Sequence, residues 1–390
     1  MESLKCVFTI ALWCLLSSAV LAQTPAPSDQ SPAPAPDAQA PAPAAAPAAA
    51  PAPKSLLGPI DFSGLLDVYG DLNFNHPASG DNQLQNFDMR GNEFSLNMAK
   101  ITIAHTPDPI GFDLDIGAGR AYEVFHSADT EPHIFEYVEQ MYVSFKPAQA
   151  KGLEMDFGQF VTSAGAEVIE SKDNWNYSRS LLFAWAIPYY HFGLRTTMPL
   201  GKYFTAGVQV VNGWNELPDN NGGKTLGLTG ALVVGKVTWN QNYYVGAANP
   251  GTAQGGLRNL FDTTVLVNAT KVTSFYVNYD YGQNAKILGG ESRWTGIAGA
   301  ARFQLTKMFA LAPRVEWFND ADGFSTGTAQ KLKEATVTGE FKLHDGVITR
   351  LEYRRDWSDV PFFDRGSNPA SYKSQETLLA GLILYYSAKK

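Results

Sequence analysis

From Lys54 onward the chain is patterned on a period of two. In GFDLDIGAG, Phe112, Leu114, Ile116 and Ala118 alternate with Asp113, Asp115, Gly117 and Gly119. In TSFYVNYDYG, Phe275, Val277, Tyr279 and Tyr281 alternate with Ser274, Tyr276, Asn278 and Asp280. Such alternation predicts strands with one apolar and one polar face. Sixteen segments of this kind lie near Ile60, Phe94, Phe112, Tyr137, Leu153, Phe192, Phe204, Leu226, Val237, Phe261, Phe275, Thr295, Leu311, Ala335, Val347 and Thr377, each about 10 to 13 residues long. Soluble sheets favour five or six residues per strand, whereas a tilted bilayer crossing needs about this length. No apolar run in the body approaches the ~20 residues of a spanning helix.

The connections alternate as well. Residues 106–111, 147–152, 199–202, 235–236 and 344–346 are short, and between them come long stretches at 73–92, 123–135, 162–189, 215–224, 319–333 and 358–374. One trimmed rim and one elaborated rim are expected of an outer-membrane barrel. The fold class predicted is all-β: a transmembrane antiparallel up-and-down β-barrel of about 16 strands over residues 54–390, with short periplasmic turns and long extracellular loops. An even strand count puts both ends of the barrel on the trimmed side.

The stretch VITRLEYRRDWSD shows what each face meets. Arg350, Glu352 and Arg354 fall on one side, Thr349, Leu351 and Tyr353 on the other. An Arg at the lipid-facing midplane costs about 2–4 kcal/mol, so the charged side is predicted to face the lumen. Read as a three-residue loop with Gly346 left-handed, HDG sets Leu343 opposite Val347 and Glu340 opposite Arg350. PRVEWFND repeats the arrangement, with Arg314 and Glu316 inward and Val315 and Trp317 outward. The resulting stripe of alternating sign either solvates a wide wall or shapes the field at a constriction. Acidic positions predicted inward elsewhere (Asp67, Asp71, Asp113, Asp115, Asp156, Asp262, Asp280) outnumber the basic Arg195 and Arg302, which implies a mild preference for cations.

Residues 162–190 do not read as a polar loop, because they carry Trp175, Tyr177, Leu181, Leu182, Phe183 and Trp185. A loop folded into the lumen would bury them and place Glu167, Glu170 and Arg179 at a constriction. Packing across the barrel mouth or against a second subunit would also cover them. Aromatics gather near strand ends, among them Tyr69, Tyr142, Phe145, Tyr190, Tyr243, Tyr244, Trp317, Trp357, Phe363 and Tyr386, as headgroup-level girdles would require.

Composition bounds the rest. Lys5, an apolar run over residues 6–20 and small residues before Gln23 read as a signal peptide over residues 1–22. Cys14 follows Trp13, which does not suit a lipoprotein cleavage site. Both cysteines lie in this leader, so the mature chain has no disulfides. Residues 23–53 are almost entirely Ala and Pro and read as a disordered periplasmic spacer. The net charge of -8 excludes a nucleic-acid partner. His126 and His133, with Glu123, Asp129 and Glu131, read as a solvated loop, and no metal or cofactor is expected.

DFSGLLDVYGDLNFN at residues 61–75, ESKDNWNYSRSLLF at 170–183, HFGLR at 191–195 and the RVEW and RLEYRRD strands together resemble the OmpL-like outer-membrane β-barrel porins. The resemblance implies a water-filled pore in the outer membrane of a Gram-negative bacterium, passing small hydrophilic solutes or ions, with no catalytic residues. Its partners would be outer-membrane lipid and the barrel assembly machinery, for which the final TLLAGLILYY strand is suited. Trimers are common among 16-stranded general porins, which makes a homo-oligomer a candidate state. Two rivals stand beside the porin: an outer-membrane barrel enzyme, for which there is no G-x-S-x-G or H-E-x-x-H, and an exported β-rich binding or structural protein.

Overall fold

The computed structural model describes residues 58–127, 135–249 and 251–388. The predicted leader, the Pro/Ala spacer and residues 128–134, with His133, Asp129 and Glu131, lie outside them. Sixteen strands form a closed antiparallel barrel. They are β1 (Asp61–Asn73), β2 (Phe94–His105), β3 (Ile110–Ala118), β4 (Val138–Phe145), β5 (Glu154–Val161), β6 (Tyr190–Pro199), β7 (Phe204–Val211) and β8 (Thr225–Val234). The second half comprises β9 (Val237–Asn249), β10 (Thr252–Val267), β11 (Thr273–Ala285), β12 (Glu291–Gln304), β13 (Phe309–Asp320), β14 (Gln330–His344), β15 (Val347–Ser358) and β18 (Ser374–Ala388). A two-stranded hairpin, β16 (Phe363–Arg365) and β17 (Asn368–Tyr372), decorates the last connection. β18 pairs with β1 from Phe62↔Ala388 to Asn73↔Thr377. Closure leaves no sheet edge, which a bilayer requires because lipid cannot satisfy a free N–H or C=O.

The pleat sorts side chains as the alternation predicts. On β15, Arg350, Glu352 and Arg354 are buried inside while Leu351 and Tyr353 are exposed outside. On β13, Arg314 and Glu316 point in and Val315 points out. Glu340 stands opposite Arg350, as expected. The turn differs: His344, not Leu343, is opposite Val347, and the register shifts between Lys342 and His344. Asp345 and Gly346 make a two-residue turn with Gly346 at φ 81°, and a bulge at Leu343 restores the facing that a plain two-residue turn would have lost.

The trimmed rim carries the predicted short turns. The opposite rim is not uniformly elaborated. β9 and β10 stay paired out to Asn249 and Thr252, with Gly251 at φ 78°, and β11 joins β12 through residues 286–290, where Gly289 and Gly290 are left-handed.

The aromatic residues divide between the two faces. Phe145, Tyr243 and Tyr386 are exposed outside, but Tyr69, Tyr190, Tyr244 and Phe363 are buried within. Neighbouring residues of a strand point opposite ways, so the pair Tyr243-Tyr244 cannot serve one girdle. The interior is also less polar than the alternation implies. Leu260, Phe318, Leu332, Leu379 and Ile383 belong to one buried apolar cluster with Tyr69, Leu84, Phe87 and residues of the 162–189 connection.

Candidate pore and its inserted segment

Residues 162–189 fold as a segment closed at its neck by Thr162 N–H donating to Tyr189 O at 2.9 Å. Within it a 3₁₀ turn, Ser171–Asp173, precedes a short helix α2 (Leu181–Trp185); an earlier helix, α1 (Arg120–Phe125), caps β3. Ser180 starts α2, its Oγ accepting from Phe183 N at 3.0 Å, the usual way to satisfy a first-turn donor. Leu181 and Leu182 are fully buried. At ~1.5–3 kcal/mol for each large apolar side chain removed from water, this face alone favours docking against the wall.

An irregular backbone at membrane depth must find partners for its N–H and C=O groups, and the charged stripe provides them. Arg350 donates to Ser171 O (2.6 Å), Asn174 O (2.5 Å) and Asn176 O (3.1 Å), and to Glu340 at 2.7 Å. Glu352 accepts from Tyr177 N (2.6 Å) and Ser178 N (2.9 Å). Arg354 donates to Arg179 O at 2.6 Å while bonding Asp356. Arg314 donates to Ser178 O at 2.8 Å and pairs with Glu167 at 2.7 Å. Glu316 accepts from Leu181 N and Leu182 N at 3.0 and 3.3 Å. On β13 and β15 the alternation of sign thus has a local purpose: the inward arginines take carbonyls, the inward glutamates take amides. Hydrogen bonds to charged groups contribute about 1.5–3 kcal/mol each.

The first strand and the last also hold the segment. Asp67 accepts from Ser171 Oγ (2.5 Å), Tyr177 Oη (2.7 Å) and Asn97 Nδ2 (2.7 Å). The Tyr177 ring packs against Gly381 of β18, where a Cβ would come within 2.5 Å of it.

The remaining expected residues occupy different surroundings. Arg195, on the inner face, bonds Asp156 at 2.7 Å and stacks over Phe160 and Tyr142. Arg302 reaches Glu340 at 2.7 Å. Asp113 is half-buried, and Asp115 binds Lys100 at 3.0 Å. Asp280 stands directly opposite Asp262 in the ladder. Of the three loop residues, Glu167 meets Arg314, while Glu170 meets Lys100 and Lys172. Against the upward push of burial, those two ammonium groups hold Glu170 below the usual carboxylate range. Arg179 turns back on its own segment, bonding Val168 O at 3.0 Å and lying over the Phe87 ring at 5.2 Å.

Sequence reasoning missed Lys100, which sits among Asp115, Glu139 and Glu170 and ties the segment to β2. Its signal was present: Met98, Lys100 and Thr102 alternate with Ala99, Ile101 and Ile103. Glu334 and Asp356 were missed although each continues the stripe by one or more periods.

Asp88, in the 74–93 connection, is 2% exposed, and its Oδ1 has no bonding partner in the structure. Burial pushes its carboxyl up to about 7, with Arg354 partly opposing. The folded value exceeds the unfolded 3.8, so the unfolded chain ionises first and stability falls as pH rises through this window. Asp88→Asn is expected to raise the urea midpoint more at pH 8 than at pH 5; an equal effect at both would contradict the assignment.

Two cavities flank the tip of the segment. One, of about 390 Å³, is lined by Lys100, Lys172, Asp173, Lys342 and Tyr385 among others. A second, of about 210 Å³, lies between residues 165–175 and the inner faces of β9 to β11.

A closed 16-stranded barrel with a long connection folded into its lumen defines the porin class of outer-membrane proteins. The chain belongs to the family described as "Putative beta-barrel porin-2, OmpL-like", whose profile matches residues 59–385, and is accordingly an outer-membrane porin. Comparison with curated proteins finds no match. Among solved structures, Salmonella typhi OmpF in complex with daunomycin is similar at 13% identity and TM-score 0.56, over 84% of this chain and 97% of that one. Outer-membrane expressed OmpT of Vibrio cholerae is similar at 12% and 0.55, over 84% and 97%. The anion-selective porin from Comamonas acidovorans is similar at 10% and 0.55, over 84% and 99%. At these identities the likeness concerns the fold.

Proposed function

We propose that small hydrophilic solutes and ions diffuse passively along the flank of the inserted segment that β13 to β15 leave unclamped. The observation that carries this reading is the exposure of the tip. Lys172 and Asp173 remain 25% and 55% exposed, whereas Arg314, Arg350 and Arg354 are at most 1% exposed. Water therefore reaches the tip but not the clamp. A mild cation preference fits the excess of acidic over basic residues on the inner face, among them the half-buried Asp113. Planar-bilayer recordings in a salt gradient test both points. Lys172→Glu should move the reversal potential toward cation selectivity, and an unmoved potential would remove the tip from the path.

We read the barrel as non-catalytic, exported through a cleaved leader, seated in lipid by the assembly machinery and able to form a homo-oligomer; cross-linking in native membranes tests the last. The packed apolar interior around Leu260, Phe318 and Leu379 favours a second reading, a structural barrel. Folded protein without any conductance would select it.

A further inference from the structure

The smaller cavity has a composition of its own. Trp175, from the segment, and Tyr276, from β11, form an aromatic pair with ring centroids 5.1 Å apart, tilted by 39°. Around them lie Thr238 and Asn240 of β9, Thr264 of β10 and the Asp173 carboxylate. Asn240 makes one side-chain bond, from Nδ2 to Thr264 Oγ1 at 3.3 Å. The cavity therefore offers an aromatic wall with a rim of carboxamide and hydroxyl groups.

Charge narrows the guest. The two carboxylates of the lining are both matched: Glu167 pairs with Arg314 at 2.7 Å and accepts from Ser180 N at 2.6 Å, and Asp173 pairs with Lys172. Among the described residues, no lysine or arginine lines the cavity. A charged guest would find no unmatched counter-charge, so the site suits a neutral one. Size narrows it further. About 210 Å³ falls below the ~300–1,000 Å³ of drug-sized sites, enough for a single six-membered ring. A pyranose has the matching chemistry, since its C–H face packs on an aromatic ring and its hydroxyls radiate toward rim groups that donate and accept.

We propose that this cavity is a binding subsite for one sugar ring of a neutral saccharide, with Trp175 as the platform and Asn240, Thr238 and Asp173 taking its hydroxyls. The inference deepens the porin reading by naming a solute class and rests on that reading for the route by which the sugar arrives.

Saturation-transfer NMR on the full detergent-folded protein tests it, with methyl glucoside as probe and choline and the open-chain polyol mannitol as comparisons. Wild type should transfer saturation to the ring protons of the glucoside and far less to either comparison. Trp175→Ala should reduce transfer to the mannitol level, and Trp175→Phe should retain most of it. Asn240→Leu, which alters the wall and leaves the segment untouched, should weaken transfer as well and stands in if Trp175→Ala fails to fold. Absent transfer in wild type, transfer unaffected by these substitutions, or preferential transfer to choline would each overturn the subsite. Conductance recorded on the same preparations separates the two readings. A conducting barrel that ignores the glucoside overturns the subsite alone, and a silent barrel that binds it overturns the porin reading alone.

Discussion

Arg350→Ala should raise single-channel conductance and lower unfolding stability together. Its guanidinium reaches the carbonyls of Ser171, Asn174 and Asn176, at the innermost part of the inserted segment. Removing it leaves three buried acceptors short of a donor and leaves Glu340 with Arg302 alone. Breaking a buried charged network from one side typically costs about 3–5 kcal/mol. The segment then has reason to lift from the wall, and a wider path carries more current. Arg302→Ala is the control, because Arg302 shares Glu340 but is not bonded to the segment in the structure. Reduced stability with unaltered current in Arg350→Ala would mean that the segment does not set the width of the path.

Val315→Arg should weaken folding into bilayers by about 2–4 kcal/mol, the cost of an arginine on the lipid face near the midplane. Val315 lies in the middle of β13, is 62% exposed, and alternates with the inward Arg314 and Glu316. On a water-facing surface the same exchange would fall within about 0.5 kcal/mol of neutral, so the sign and size of the effect identify the medium. Equilibrium folding into liposomes across a urea series gives the number. A near-zero change would deny that this face meets lipid.

All 16 barrel strands were legible from alternation, each predicted position falling in a strand or within one residue of it, because inward and outward side chains answer to different media over most of the wall. The β16–β17 hairpin was not, since FDRGSNPASY shows no sustained alternation and only Phe363 of it joins the buried apolar cluster. The Glu340–Arg350 pairing was legible, while the bulge at Leu343 depends on backbone twist that residue types do not encode. Arg350, Glu352 and Arg354 could be assigned to the interior, but not to the segment they grip. Arg350 contacts a backbone 179 residues earlier in the chain, and no local period reports on such a distance. The apolar interior was hidden for a related reason: in TLLAGLILYY both faces are greasy, and only the partner packed against Leu379 and Ile383 shows that one of them looks inward.

The grip on Tyr177 bears on the order of assembly. Its hydroxyl rests on Asp67 of the first strand, its ring on Gly381 of the last, and its amide on Glu352 next door. These three positions become neighbours only when the cylinder zips shut, so the segment cannot settle until the final strand has arrived. Once seated, it straps the junction between the two chain ends from within, at the place where the wall lacks a covalent connection.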